Sequence, residues 1–377
     1  MNKKIRFSPT LCLTHNCNLN CIYCFQKHDT AKMTLETAKI CIDWIFDNIP
    51  NNTEDVEIGF IGGEPLLEFT LLKDIVEYTY SKKTMKHYSF FATTNGTLLN
   101  DDMKMWFSAH KDKIVLGLSL DGTKETHDYN RNNSFDKIDI NFFLKTWTNQ
   151  GVKMTLSEYS LPRLAENIKF IHSLGFKDIY GVNLFEGTFD WSLEQYIEIL
   201  ISQLKELVKF YVENDSFPLN HMLSKHLNIC EALTKEKESW CGFGKTTLLF
   251  DVDGRKLPCT FCTSMTFTES ELKDIEAIDF TNNENFIDVD CFSNCYIYPI
   301  CPTCAGANYL NNKTFQYRDK RRCRVQKLIA LFIADLQAKR IAKNPAIYDN
   351  DKLYYTIEAI KKIREFYLPE FKDYFKE

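Results

Sequence analysis

Between residue 3 and about residue 186, short apolar runs of strand character alternate with amphipathic stretches of helical length, with little between them. That alternation narrows the fold more than any other feature. Two parallel strands need a crossover between them, and in βα repeats the crossover is a helix, so a parallel sheet is expected. The strand candidates are 4–13, 56–61, 88–93, 113–120, 152–159 and 179–184, and the helix candidates between them are 34–48, 68–82, 101–109, 135–148 and 163–174. Six repeats fall short of a complete eight-fold barrel, which needs about 250 residues. The expected fold class is therefore α/β, a partial (β/α)6 TIM-type barrel. Functional loops should lie at the C-terminal ends of its strands.

The texture then changes. A helical stretch at 193–213 is followed by a polar segment to 239, and 240–324 is rich in Cys, Pro and Asn with little periodicity. A segment of that kind buries too little apolar surface to fold unaided, so cross-linking by metal is expected. Helices return at 328–341 and 353–366. The expected organisation is a barrel core at 1–190, a helical bridge at 191–239, a Cys-rich domain at 240–325 and C-terminal helices at 326–377.

With 44% hydrophobic and 26% charged residues, the 377-residue chain has the composition of an ordinary globular protein. Its net charge of −5 gives no reason to expect nucleic acid, and no apolar run is long enough to span a bilayer. Without a signal-like opening segment, the cytoplasm is the expected location. The fourteen cysteines are clustered in a long chain, which favours metal or cluster ligation over a disulfide scaffold. Cys12 and Cys41 stand apart and read as small buried hydrophobes.

Cys17, Cys21 and Cys24 form a C-x3-C-x2-C loop directly after the first strand. Their spacing would also suit one face of a helix, but Asn16, Asn18 and Asn20 compete with the backbone for hydrogen bonds and are unlike a helix interior. Three thiolates are one too few for an iron–sulfur cube, which takes four cysteines. Used alone, the loop leaves one iron open for a ligand, as catalytic zinc sites keep an open position. Zinc would need a fourth protein ligand, and His15, adjoining the first cysteine, is poorly placed to supply it.

After the second strand comes Gly62-Gly63-Glu64-Pro65, where two glycines permit close backbone approach and Glu64 offers a carboxylate to an ammonium group. A plain strand-to-helix turn would read the same way. After the fourth strand stand Ser119, Asp121 and Arg131, groups that suit ribose and carboxylate, each also compatible with a structural role.

Taken in order, the cysteine loop with Tyr23 before its last cysteine, the Gly-Gly-Glu-Pro turn and Thr94-Asn95-Gly96 after strand three resemble the radical S-adenosylmethionine (SAM) enzymes. The resemblance implies that Cys17, Cys21 and Cys24 hold a [4Fe-4S] cluster whose open iron chelates SAM. It implies that Tyr23 packs near adenine and that Gly62, Gly63 and Glu64 bind the SAM amine. Asn95 belongs to the cofactor-binding set, Ser119 and Arg131 would contact ribose and carboxylate, and Asp121 would be a turn residue.

The later cysteines look like a SPASM (twitch-type) extension with two auxiliary [4Fe-4S] clusters, three clusters in all. Cys241 and Cys259 flank a C-x12-G-x4-C element, and Cys291, Cys295, Cys301, Cys304 and Cys323 follow. Spacings within that set depart from the family pattern by one residue at two places. The resemblance implies an outer cluster on Cys291, Cys295, Cys301 and Cys323 and an inner one on Cys241, Cys259 and Cys304. Cys262 is the favoured fourth inner ligand, with Cys230 or a substrate atom as alternatives, and two structural zinc sites are the competing reading. The basic run Arg318, Lys320, Arg321, Arg322 and Arg324 around the last cysteine is a solvated face, an influence on cluster potential or a leader-peptide surface.

The function implied is that of a radical SAM maturase acting on a ribosomally made peptide or protein, with a thioether or carbon–carbon cross-link preferred. Sulfatase maturation and peptide epimerisation are alternatives. In sulfatase maturases an Asp base typically follows the cysteine of the G-x4-C element. Here Thr260 stands there, and a hydroxyl is a poor base at neutral pH. No catalytic acid or base is assigned, and Glu158, Asn183 and Glu186 read as lining or structural residues. A flavodoxin- or ferredoxin-type donor is the expected reductant. Because strand one starts almost at the first residue, a leader would have to bind the barrel, the Cys-rich module or a separate partner. The non-enzyme alternative, a metal-stabilised binding or electron-transfer protein, predicts no SAM cleavage.

Overall fold

The computed structural model describes residues 5–82, 87–183, 189–231, 241–347 and 349–375. In chain order the elements are β1 (Ile5–Thr14), α1 (Leu35–Asp47), β2 (Thr53–Gly62), α2 (Phe69–Tyr80), β3 (His87–Thr94), α3 (Asp101–Ala109), β4 (Ile114–Ser119), α4 (Lys124–Asn130), α5 (Ile140–Thr146), β5 (Val152–Thr155), α6 (Leu164–Ser173) and β6 (Ile179–Asn183). After these come α7 (Glu194–Glu213), β7 (Thr247–Phe250), β8 (Lys256–Leu257), α8 (Glu269–Glu276), α9 (Val289–Asn294), α10 (Ala305–Asn312), α11 (Arg321–Lys343) and α12 (Asn350–Phe371). The α/β architecture with its parallel sheet is that of the expected partial barrel, and the Cys-rich segment and helical tail follow it. Residues 184, 186 and 232–240, which carry the end of the sixth strand candidate, Glu186 and the end of the bridge, lie outside the described residues.

The contacts divide the chain into two compact units. The first comprises Met1–Leu120, His127–Val152 and Ser239–Asn285; the second comprises Asp121–Thr126, Lys153–Glu238 and Phe286–Glu377. In the first unit the strand order is β4-β3-β2-β1-β7-β8, parallel throughout except for the antiparallel β7–β8 pair. β1 is buried along almost its whole length, with Phe7, Leu11, Cys12 and Leu13 at 1% exposure or less, as a central parallel strand covered on both faces must be. Val56, Ile58 and Phe60 of β2 line the same core. The register pairs Thr14 with Gly62 and Thr94 with Leu118, so the loops after these four strands emerge at one end of the sheet.

In the second unit β5 and β6 are neighbouring strands, and α6, α7, α11 and α12 bury their apolar faces around Leu204, Leu207, Leu328, Phe332 and Ile363.

Three sequence expectations are corrected. The helix expected at 135–148 is instead a 3-10 turn, Phe135–Lys137, followed by α5. Asp139 restarts the chain as an N-cap, its carboxylate accepting from Phe142 N at 3.1 Å. The strand expected to reach 159 stops at Thr155, whose N–H goes to the Asp121 carboxylate (3.0 Å). Beyond it Ser157 and Ser160 exchange side-chain–backbone bonds of 2.8 and 3.2 Å, which competes with strand pairing. The segment read as having little periodicity contains β7, which pairs with β1, and the helices α8, α9 and α10.

Candidate functional site

The cysteine loop is seated on the turn after β2. Gly63 N donates to Thr14 O at 3.0 Å and Glu64 N to Asn16 O at 2.9 Å, which continues the β1–β2 ladder past the strand ends. Both glycines are obligatory here for want of space. A Cβ on Gly62 would stand 2.4 Å from Thr14 O, and one on Gly63 would stand 2.4 Å from Asn16 O and 2.8 Å from Cys17 Cβ.

Glu64 is 1% exposed and ties three segments together. One carboxylate oxygen accepts from Thr94 Oγ1 (2.8 Å) and Leu66 N (3.1 Å), and the other accepts from Asn95 N (2.7 Å). Burial pushes its acid up to about 7, against those three bonds and the charge of Arg131, which pull it down. Asn95 in turn donates to Asn18 Oδ1 (2.9 Å), and Asn18 donates to Thr97 Oγ1 (2.8 Å), so the third strand end also grips the cysteine loop.

Arg131 follows α4, a helix absent from the sequence reading. The chain leaves it through Asn132 and Asn133 in the left-handed region, at φ 56° and 52°, a conformation Asn tolerates at helix ends. Arg131 is 7% exposed and its guanidinium lies 5.4 Å from the Tyr23 ring centre. Ser119 is buried at the end of β4. Tyr23, Gly63, Glu64, Asn95 and Arg131 are thus gathered around one loop. Asp121 accepts the Thr155 N–H, as befits a turn residue, and Glu158 is bonded to Tyr196.

Within the loop, Cys17 is part-buried and Cys24 is exposed. Burial pushes the Cys17 thiol up to about 11, opposed by the Leu19 N–H, with the charges of Glu64, Cys21 and Cys24 acting in the same direction as burial. Such a thiol becomes a thiolate at neutral pH through a bound metal, whose charge supplies the missing stabilisation.

Sequence reasoning missed the anchor beneath the loop. His15, set aside there as a zinc ligand, is 3% exposed. Its Nε2 is 2.9 Å from Asp251 Oδ1 and its Nδ1 is 3.1 Å from Asp29 Oδ1. Asp251 also receives Ser264 N (3.0 Å) and Ser264 Oγ (2.8 Å), and Cys12 completes a buried group whose donor atoms lie within 4.8 Å of one another. Burial opposes the charge on His15, yet the bonds and charges of Asp251 and Asp29 hold its pKa above 6.5. Burial likewise opposes Asp251, and His15 and Ser264 bring it down to about 2. The raised His15 stabilises below about pH 6.5 and loses that contribution as pH climbs through its folded value. The lowered Asp251 stabilises above about pH 4 and loses that contribution as pH falls through about 2. Asp251→Ala should therefore cost about 3–5 kcal/mol near pH 6 and less once pH rises past the folded value of His15. Urea unfolding of both proteins across that range checks this, and a gap independent of pH would contradict it.

The distal cysteines fall into two groups. In the first unit Cys259 Sγ and Cys262 Sγ are 3.9 Å apart, both buried, and Cys241 acts electrostatically with Cys259. Phe261, between the pair, stacks on Phe25 of the first loop with ring centres 4.4 Å apart. Thr260 beside it is exposed. In the second unit Cys291, Cys295, Cys301 and Cys323 all line one cavity of about 300 Å³, a fit for a four-thiolate group. Cys230 lies near Tyr296 and Tyr367 in this unit. Among the described residues no helix is long and apolar enough to cross a membrane.

Residues 11–200 match the Radical SAM superfamily. The chain is 32% identical over 177 residues to an uncharacterised protein of Methanocaldococcus jannaschii, a match covering 44% of this chain and 59% of that relative. It is 26% identical over 301 residues to a cysteine-type anaerobic sulfatase-maturating enzyme of Clostridium perfringens, covering 72% of this chain and 79% of that one. Its fold is similar to that of native anSMEcpe with bound AdoMet and peptide (TM-score 0.63, 17% identity, 95% of this chain and 99% of that one). It is also similar to that of Streptococcus suis SuiB bound to precursor peptide SuiA (TM-score 0.55, 17% identity, 84% and 76%). The family match takes in the cysteine loop, the Gly-Gly-Glu turn and the Tyr23–Arg131 contact together. The chain therefore belongs to the Radical SAM superfamily, enzymes whose cofactors are a [4Fe-4S] cluster and S-adenosylmethionine.

Proposed function

We propose that this chain is a peptide- or protein-modifying radical SAM maturase in which Cys17, Cys21 and Cys24 hold the SAM-binding cluster. The observation that carries this reading is the buried Glu64 carboxylate. It joins the Gly-Gly-Glu turn to the Thr94-Asn95 strand end, and the Glu64 N–H and the Asn95 side chain both bond to the cysteine loop, with Arg131 and Tyr23 at the same loop. When bound, the cluster and SAM together supply a 5′-deoxyadenosyl radical by one-electron cleavage of the sulfonium.

The protein's part is placement. The backbone of Gly62 and Gly63 meets the SAM amine, and Glu64 holds that backbone in position while lending negative charge. Arg131 and Ser119 receive carboxylate and ribose, Tyr23 packs near adenine, and Asn95 keeps the third loop in register. Distal cysteines hold two auxiliary clusters, an outer one on Cys291, Cys295, Cys301 and Cys323 and an inner one that takes in Cys241, Cys259 and a further ligand. The 3.9 Å separation of Cys259 and Cys262 supports Cys262 as that ligand. A flavodoxin- or ferredoxin-type protein supplies the electron.

The preferred reaction is a thioether or carbon–carbon cross-link in a ribosomally made peptide; the fold shared with SuiB, which was seen bound to a precursor peptide, supports the peptide substrate. Formylglycine formation is the second reading, favoured by the likeness to the Clostridium perfringens enzyme and weighed against by Thr260. Anaerobic reconstitution should give about twelve irons per chain and dithionite-dependent 5′-deoxyadenosine. Bound zinc without SAM turnover would sink the reading. Mass spectrometry of co-expressed peptide separates the reactions. Loss of two hydrogens marks a cross-link, loss of the cysteine sulfur marks formylglycine, and deuterium uptake from heavy water marks epimerisation.

A further inference from the structure

The two distal cysteine groups differ in what touches their sulfurs. Lys320 Nζ lies 3.3 Å from Cys291 Sγ and is held there by Asp288 (3.1 Å) and Asp290 (3.4 Å). From α12, the Tyr367 hydroxyl reaches within 3.9 Å of Cys295 Sγ. Toward a thiolate, which carries no proton, both groups are donors. Arg318 is buried above Tyr298, 4.5 Å from its ring centre, and donates to Cys301 O at 3.0 Å, while Arg322 and Lys327 complete the basic lining.

Of the basic run, Arg321 and Arg324 are engaged elsewhere, with Asp319 (2.8 Å) and with Glu194 (3.0 Å). Around the inner cysteines the picture is different. Cys259 meets Cys262 Sγ and the Phe261 N–H (3.4 Å), and among the described residues the groups acting on Cys241 and Cys259 include neighbouring thiols and backbone amides.

Adding an electron to an iron–sulfur cluster adds negative charge, so cations and hydrogen bonds at the sulfurs favour the reduced form and raise the potential. We propose that Lys320, with Tyr367 as a second donor, raises the reduction potential of the outer four-cysteine site. The inference rests on the reading that both groups hold clusters.

The test is a potentiometric titration of the anaerobically reconstituted full chain, followed by electron paramagnetic resonance. The background is Cys17→Ala/Cys21→Ala/Cys24→Ala, which leaves the two auxiliary signals. Lys320→Met should lower the outer midpoint by about 59 mV, a tenfold change in the one-electron equilibrium constant, with the inner midpoint unmoved. Lys320→Arg should stay close to the parent, and Tyr367→Phe should shift the same midpoint by a smaller step. Unmoved midpoints in Lys320→Met and Tyr367→Phe at unchanged iron content, or equal shifts at both clusters, would overturn the proposal. If Lys320→Met loses iron, Tyr367→Phe decides, because it leaves every cysteine and Lys320 in place. A parent protein short of an entire cluster would instead remove the underlying reading.

Discussion

Replacing Cys17, Cys21 and Cys24 by alanine should abolish 5′-deoxyadenosine formation while leaving about eight of about twelve irons per chain. The loss should be total, because the acceleration an enzyme provides, on the order of 10⁶-fold or more, depends here on the group those thiolates hold. Folding should be little affected. Cys24 is exposed, Cys21 and Cys17 are part-buried, and the loop keeps its backbone bonds to the Gly-Gly-Glu turn through residues 14 and 16. Iron analysis with a SAM-cleavage assay checks this. Retained cleavage, or loss of all iron, would contradict the division between this loop and the distal cysteines.

Gly63→Ala should have the second-largest effect, although it removes no functional group. Its Cβ would fall 2.4 Å from Asn16 O and 2.6 Å from Asn16 C, backbone atoms that cannot rotate aside. The loop must therefore move off the turn, breaking the Glu64 N to Asn16 O bond and displacing Cys17 relative to Glu64. A displacement of about 1 Å at a reacting centre costs on the order of 100-fold in rate, and strain from overpacking adds about 1–3 kcal/mol to the loss of stability. Gly59→Ala is the control. There the nearest atom, at 2.5 Å, is Thr10 Oγ1, the end of a side chain. Isothermal titration with SAM and thermal unfolding of both variants check this. Equal losses in the two would mean that the close approach at Gly63 has no special role.

Legibility in the sequence followed the range of the interactions. β1, β2, β3, β4 and the flanking helices α1, α2 and α3 lie close to where hydrophobic periodicity puts them, because each is a long, regular run read within its own window. α5 was overextended because Asp139 caps a new start inside an otherwise helical pattern, and β5 was overextended because Ser157 and Ser160 take backbone bonds a strand would need. β7 escaped notice altogether. It is four residues long, in a segment without periodicity, and it becomes a strand by pairing with β1 more than two hundred residues earlier in the chain.

The site divides in the same way. Cys17, Cys21, Cys24 and Gly62-Gly63-Glu64 could be picked out because each motif is contiguous. That the Glu64 carboxylate ties its own turn to the third strand end was not visible, and neither was the bond between His15 and Asp251, 236 residues apart, or that between Tyr367 and Cys295, 72 residues apart. The structural part His15 plays was not legible, for a physical reason. Adjoining a cysteine disfavours it as a metal ligand, but says nothing about a carboxylate brought up at the end of the neighbouring strand β7.

By itself the sequence determined the βα repeat and the chemistry at the strand ends, since both are written in local spacing and residue type. Tertiary structure alone decided which of the distal residues touch which sulfurs. It sent Lys320 and Tyr367 to the outer cysteines and set Cys262 Sγ and the Phe261 amide beside Cys259. Hydrogen bonds and charge act over a few ångströms, and only the folded chain brings residues so distant in sequence within that reach.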